Sequence, residues 1–338
     1  MRVGIFLCLI SFGLLSCNKS GGTTPALTPT NLVVNATVNP DNSGNVSFAS
    51  SATNAVSYEY DFGNGIFETS PSGSVNHKYA TSGNYTVKVT AKSGSNATIS
   101  KSIEIVVSVG LSLVWSDEFE TPGAPNSNKW GYDLGASGWG NNESQNYTDR
   151  RDNSYVTNGT LKIVAKKEAY AGSQYTSARL LTKGKFSFKY GKVEVRAKLP
   201  VGVGTWPAIW MLGDNINTVS WPACGEIDIM EHVGKDLNKI ISAFHYPVYY
   251  GGNAKVATTM VPTATTEFHV YKLEWTPTAM QIFVDDKLFH TLPNSPSIPY
   301  NQNFFMILNI AMGGNLGGPI DASFTSTIFE IDYVRVYQ

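Results

Sequence analysis

Phe186-Ser-Phe-Lys-Tyr-Gly-Lys-Val-Glu-Val-Arg-Ala-Lys-Leu199 is the stretch on which the fold class turns. Phe186, Phe188 and Tyr190 face one way while Ser187 and Lys189 face the other. Val193, Val195, Ala197 and Leu199 then alternate with Lys192, Glu194, Arg196 and Lys198. A side-chain period of two belongs to strands with one face on a core, and Gly191 reads as the turn between two of them. Ile282-Phe283-Val284, Asp285-Asp286 and Leu288-Phe289 read in the same way as a hairpin. Short alternating runs of this kind, separated by Gly, Asn, Asp and Ser, continue from Leu111 to Gln338 with almost no helical periodicity. They predict an all-β domain built as a large antiparallel sandwich.

The chain has 338 residues, 42% hydrophobic and 12% aromatic, enough for two domains with packed cores. Charged residues make up 15% and the net charge is −1. Binding a polyphosphate backbone needs a cationic field, so nucleic acid is excluded as a partner, and a monomer is expected.

Residues 1–16 read as a processing signal. Arg2 supplies the positive end, and Val3 to Leu15 is an apolar run too short for a comfortable membrane span. Leu14-Leu15-Ser16-Cys17 resembles the lipobox of bacterial lipoproteins, which implies cleavage before Cys17 and lipidation of that residue. An ordinary secretory signal is the alternative; either exports the protein, and only the first ties it to a membrane. Of three cysteines, Cys8 lies in the leader and Cys17 would be lipidated, which leaves Cys224 with no disulfide partner. No His is close in sequence to make Cys224 a nucleophile, and a small buried thiol on a strand is expected. Residues 17–30, rich in Ser, Thr, Gly and Pro, read as a tether.

Residues 31–108 form a smaller all-β unit. Tyr85, Val87 and Val89 alternate with Thr86, Lys88 and Thr90, and a Gly-Ser turn leads into Ile99 to Val107. Tyr58-Glu-Tyr-Asp-Phe-Gly-Asn-Gly65, His77-Lys-Tyr79 and Gly83-Asn-Tyr-Thr-Val87 resemble a PKD-type, immunoglobulin-like β-sandwich. Tyr58 or Tyr60 stands where that family usually has Trp. Asp61 and Asn64 read as turn residues, since EF-hand ligand spacing is missing. All seven Trp residues fall in residues 111–338.

The chemistry concentrates in Trp221-Pro-Ala-Cys-Gly-Glu226-Ile-Asp228-Ile-Met-Glu231-His232. On a strand Glu226 and Asp228 share a face while Ile227 and Ile229 enter the core. Glu231 lies an odd number of residues from both, so a regular strand would turn it inward. A one-residue bulge near Met230 would aim all three acids into one cleft. Clustered carboxyls repel, which lets one stay ionised while another keeps a proton. A retaining glycosidase needs such a pair, with carboxyl groups about 5–5.5 Å apart. Spacing alone leaves the two glutamate roles open, and an acid cluster can also hold a divalent metal. Trp206-Pro-Ala-Ile-Trp210-Met and Trp221-Pro, close in sequence to the acids, supply flat apolar surfaces on which sugar C–H faces pack.

The second domain is identified as a member of glycoside hydrolase family 16, in its laminarinase-like branch. The motifs are Trp115-Ser-Asp-Glu-Phe, Gly138-Trp-Gly-Asn-Asn-Glu143, Ser177-Ala-Arg179-Leu, Gly191-Lys-Val-Glu-Val-Arg, Gly204-Thr-Trp-Pro-Ala-Ile-Trp210, the acid strand, and Ile331-Asp-Tyr-Val-Arg-Val-Tyr337. The resemblance implies a concanavalin-like β-jelly-roll over residues 111–338 with an open cleft on its concave face. It further implies endo-hydrolysis of β-1,3-glucan, and of mixed β-1,3-1,4-glucan as a second substrate, without a catalytic cofactor. Glu226 would be nucleophile, Glu231 acid/base and Asp228 the residue that orients Glu226. Trp206, Trp210 and Trp221 would line the cleft; Arg179 and Asn141 would bond sugar hydroxyls, and His245 would face the groove. A structural calcium would sit on the convex face, held by Asp332 and backbone oxygens near Glu120 and Gly159. Leu316 stands where many relatives have Trp, which removes one aromatic surface at the cleft edge. A non-catalytic glucan-binding surface protein, or a relative acting on an algal galactan, are the rival readings.

Overall fold

The computed structural model describes residues 27–338, so Cys8, Cys17, the leader and most of the tether lie outside the described residues. The chain divides into two compact units, one ending at Gly110 and one spanning Leu111–Gln338.

In the first unit a three-stranded sheet (Thr30–Val38, Asn45–Thr53, Ser74–Lys78) and a four-stranded sheet (Phe67–Ser70, Ser57–Asp61, Gly83–Lys92, Thr98–Val107) enclose one core. Tyr58 and Tyr60 are both buried there, and the Tyr60 hydroxyl donates to Gly73 O at 2.5 Å. Asp61 Oδ1 accepts the Gly63 N–H and Asn64 Oδ1 accepts the Ile66 N–H, so both side chains fold a turn.

The second unit is a two-layer β-sandwich. Its seven-stranded sheet runs Lys255–Met260, Lys239–His245, Glu226–His232, Thr205–Gly213, Phe304–Met312, Arg179–Leu181, Gly131–Asp133, each pair antiparallel. The ten-stranded sheet is antiparallel except where Gln145–Tyr147 runs alongside Ser173–Ser177. Apolar residues of both inner faces, among them Ile209, Met211, Ile227, Met230, Leu273, Ile282, Phe304 and Val334, form a single core. Among the described residues the only α-helix is the short Gly314–Gly317 segment.

The runs Phe186–Tyr190 and Gly191–Leu199 fold differently. Gly191–Lys198 is a strand with the expected alternating burial. Gly191 has φ +114, and an added Cβ there would lie 2.2 Å from Tyr337 O. Phe186–Tyr190, by contrast, is not a regular strand. Thr182 O accepts the N–H groups of Lys185 and Phe186, and only Phe188 pairs, with Phe304. The alternation there records aromatic packing instead: Phe186 stacks on Trp115 at 5.1 Å and Tyr190 meets Trp275 edge-on at 5.3 Å. The hairpin Ala279–Val284/Lys287–Pro293 turns through Asp285 and Asp286, both at positive φ, as a tight primed turn requires.

Candidate active site

The strand Glu226–His232 pairs with both neighbours out of step. Against Thr205–Gly213 it pairs Ala208 with Glu231, Ile209 with Met230, and Trp210 with Asp228, so Ile229 is the extra residue. Against Lys239–His245 the register slips between Asp228 and Glu231 as well. This is the expected bulge, seated on the residue before Met230.

Its consequence follows from cross-strand partners, which share a face of the sheet. Asp133 pairs with Arg179, Arg179 with Asn309, Asn309 with Ala208 and Ala208 with Glu231, one row across five strands. Two residues further along, Ile307, Trp210 and Asp228 form the next row; Phe305, Leu212, Glu226 and His245 form a third. Three acids, Arg179, His245, Trp206 and Trp210 thus lie on the face turned away from the core, while Ile227, Ile229 and Met230 are fully buried. Without the slip Glu231 would fall opposite Pro207, on the inward face of the strand.

The acids are held closely. Trp206 Nε1 donates to Glu231 Oε1 at 2.8 Å. His245 Nε2 lies 3.1 Å from Asp228 Oδ2 and 3.7 Å from Glu226 Oε1. Gly251 N–H donates to His245 Nδ1 at 3.1 Å, so Nδ1 carries the lone pair and the proton of the neutral ring sits on Nε2, facing the carboxyls. The buried Tyr300 hydroxyl lies within 3.1 Å of Glu226 O and 3.0 Å of His245 O, clamping the two strands beside the acids.

Burial pushes the Glu226 carboxyl up to about 8; repulsion from Asp228 and Glu231 adds to this, and His245 and Arg179 oppose it. Asp228 rises to about 8 through burial. Glu231 also rises to about 8, through burial and the charge of Asp228, against the Trp206 hydrogen bond and His245. Three such groups cannot all ionise together at neutral pH, so the cluster keeps protons that it can donate.

Trp221 reaches the same end as His245, ring centroids 5.9 Å apart. Arg179 lies between the Trp139 and Trp210 rings, 4.9 and 4.7 Å from their centroids, with Nε 3.0 Å from Asp133 Oδ2, so much of it is committed to structure. Asn141 Nδ2 donates to Glu143 Oε1 at 3.4 Å. Leu316 lies in the Gly314–Gly317 helical turn, where its carbonyl accepts from Lys235 Nζ at 3.2 Å. Asp332, Glu120 and Gly159 belong to the other sheet and its loops. The register brings them to one end of it, since Leu161 pairs with Ile331 and Asp117 with Val334, but Asp332 Oδ2 already accepts from Arg196. Among the described residues, the only His, Cys, Asp and Glu side chains that converge as metal ligands do are Glu226, Asp228 and His245, within the acid cluster itself. Cys224 is buried and burial pushes its thiol up to about 11, which leaves it inert.

Sequence reading missed a buried relay behind Trp210. Trp210 Nε1 donates to Asn309 Oδ1 at 2.8 Å, Asn309 Nδ2 to Tyr147 Oη at 3.0 Å, and Tyr147 Oη to Glu143 Oε2 at 3.2 Å. Gln145 Nε2 donates to the same Glu143 oxygen at 2.6 Å. One signal was available: Asn309 is the only polar residue in the nine-residue strand Phe304–Met312, and a buried amide needs partners.

The sequence profile described as "Glycosyl hydrolases family 16" matches residues 141–335, and that of the PKD domain matches residues 24–107. A beta-glucanase of Rhodothermus marinus is 47% identical over 242 residues, which cover 67% of this chain and 85% of that protein. The solved laminarinase of Rhodothermus marinus superposes with a TM-score of 0.65 over 68% of this chain and 98% of its own, at 47% identity. LamA of Z. galactanivorans, solved in complex with laminaritriose and laminaritetraose, is 50% identical, with a TM-score of 0.63 over 67% of this chain and 99% of its own.

Proposed function

We propose, because the chain belongs to glycosyl hydrolases family 16, that it is an endo-1,3-β-glucanase cutting laminarin-type β-1,3-glucan, with mixed β-1,3-1,4-glucan as a second substrate. The observation that carries the mechanism is the slip at Ile229, which brings Glu231 to the face of Glu226 and Asp228. A retaining double displacement needs one ionised and one protonated carboxyl across the scissile bond. Glu226 attacks the anomeric carbon while Glu231 protonates the departing oxygen. Glu231, now ionised, takes a proton from water, which attacks the same carbon and releases the sugar from Glu226. Asp228 keeps a proton beside ionised Glu226, so the two carboxyls do not repel each other. Trp206, Trp210 and Trp221 receive sugar faces; Asn141, and the part of Arg179 not bound to Asp133, serve hydroxyls. The reaction uses no cofactor.

Product analysis on laminarin, mixed-linkage glucan and agarose tests the substrate. Short laminari-oligosaccharides from laminarin are expected, and agarose cleaved with laminarin intact would overturn the assignment. Glu226→Gln should remove turnover and keep glucan binding; undiminished hydrolysis would dismiss its role.

A structural calcium would use Asp332 and backbone oxygens near Glu120 and Gly159. Calcium takes six to eight oxygens, and here it must displace Arg196 from the one carboxylate. A melting temperature raised by added calcium supports the site; an unchanged one refutes it. Export with a lipid anchor rests on the leader and Cys17. Cys17→Ser should release the protein from membranes, and retention would refute the anchor.

A further inference from the structure

We propose that Tyr250, with Trp221, forms a glucosyl-binding subsite at the His245 end of the cleft; this rests on the glucanase reading above. The two rings meet at 82° with centroids 5.3 Å apart, forming a corner. Both stay open to solvent, Trp221 at 40% and Tyr250 at 45% exposure, although a folded chain gains by covering rings of this size. Trp221 in turn lies 5.9 Å from the His245 ring, whose Nε2 is 3.7 Å from Glu226 Oε1. The corner therefore adjoins the point of cleavage, within reach of a sugar unit next to the reacting one. A β-linked glucosyl ring offers axial C–H groups to one aromatic face and equatorial hydroxyls around its rim. A Trp face beside a Tyr with a wet hydroxyl answers both.

The segment carrying Tyr250 is braced before any ligand arrives. Tyr246 and Tyr249 exchange both backbone hydrogen bonds at 2.9 Å, and Asn253 Nδ2 donates to Val248 O at 2.7 Å. The Lys255 ammonium sits 3.6 Å from the Tyr249 ring centroid, and the Gly251 N–H donates to His245 Nδ1. None of these bonds uses the Tyr250 side chain. An exposed ring on a segment ordered by other contacts loses little freedom on binding, and Val248, β-branched at φ +76, is held in a conformation that only such bracing sustains. The same Gly251 bond that positions the corner fixes the His245 proton toward the acids, so the subsite and the catalytic centre share one frame.

The test is Tyr250→Ala, Tyr250→Phe and Tyr250→Trp, each with a thermal melt to confirm folding. Turnover of laminaripentaose and laminarihexaose is measured, and laminarihexaose is titrated calorimetrically into the same variants in the Glu226→Gln background. KM for Tyr250→Ala should rise roughly tenfold, about 1.4 kcal/mol, with the loss carried by KM rather than kcat. The hexaose dissociation constant should rise alike, and Tyr250→Trp should restore both. Unchanged KM and unchanged binding in Tyr250→Ala would overturn the subsite. If the wild-type protein binds the hexaose through Tyr250 but never cleaves it, the hydrolase reading falls and the subsite stands. If the hexaose does not bind at all, both fall.

Discussion

Trp206 donates its indole N–H to Glu231 Oε1 at 2.8 Å, so a ring proposed to receive sugar also bears on the charge of the carboxyl proposed as acid/base. The bond favours ionised Glu231 and opposes the rise caused by burial. Trp206→Phe removes it, and the Glu231 carboxyl moves further up. The alkaline limb of kcat/KM, which needs protonated Glu231, should shift to higher pH. Release of the glycosyl-enzyme, which needs ionised Glu231, should slow on the order of tenfold near neutral pH. A pH–rate profile of the variant checks both; an unmoved alkaline limb would remove Trp206 from this role.

The acid cluster should destabilise the fold as pH rises. Its carboxyls have folded-state values above their unfolded ones, so both states are protonated well below the unfolded value and the native state alone resists ionisation above it. Glu226→Gln should raise the melting temperature, with a gain that grows as pH climbs from about 4.5 through 8. The effect reaches a few kcal/mol at most. Melts at pH 5 and pH 9 measure it, and an equal gain at both would refute the cause.

Acid should act through a different residue. His290 is buried, Nδ1 3.0 Å from the Ser242 hydroxyl, and burial holds its ring down to about 4. Its unfolded value is near 6.5, so the neutral native ring loses ground as pH falls from 6.5 to 4. His290→Gln should flatten that part of the stability curve by about 2–3 kcal/mol. Wild type and variant falling in parallel would exclude it.

The relay behind Trp210 predicts a binding defect from a residue two strands away from the acids. Asn309→Ala frees the Trp210 indole N–H and takes from the buried Tyr147 hydroxyl the donor it accepts from, leaving its bond to Glu143. We expect a loss of about 1–3 kcal/mol in stability and a rise in KM larger than the fall in kcat. Steady-state kinetics at a temperature well below the melt would separate the two. A kcat-only defect would show that Trp210 does not depend on the relay.

The sequence carries the sandwich and the acid strand because both follow from a period of two. Val193, Val195 and Ala197 advertise the core face, and the odd spacing of Glu231 from Asp228 demands a bulge if the acids are to meet. Ile229 and Met230 are both apolar, so either could be the extra residue until the strand is paired with Thr205–Gly213. Phe186–Tyr190 misleads because rings packing on Trp115 and Trp275 alternate as a strand does. The relay was closed to sequence reading for another reason: Tyr147 and Asn309 are 162 residues apart, and nothing local announces their hydrogen bond. Tyr250 escapes likewise, since its exposure is decided by a segment braced from elsewhere.

The hydroxyl of Tyr300 spans the main-chain oxygens of Glu226 and His245, and this makes the seat of the proposed nucleophile a property of the backbone rather than of the side chain that fills it. Emptying the seat should therefore leave a vacancy of fixed outline instead of a collapsed one. A Glu226→Gly protein supplied with azide or formate ought to regain part of its turnover, the small anion taking up the missing carboxylate's post.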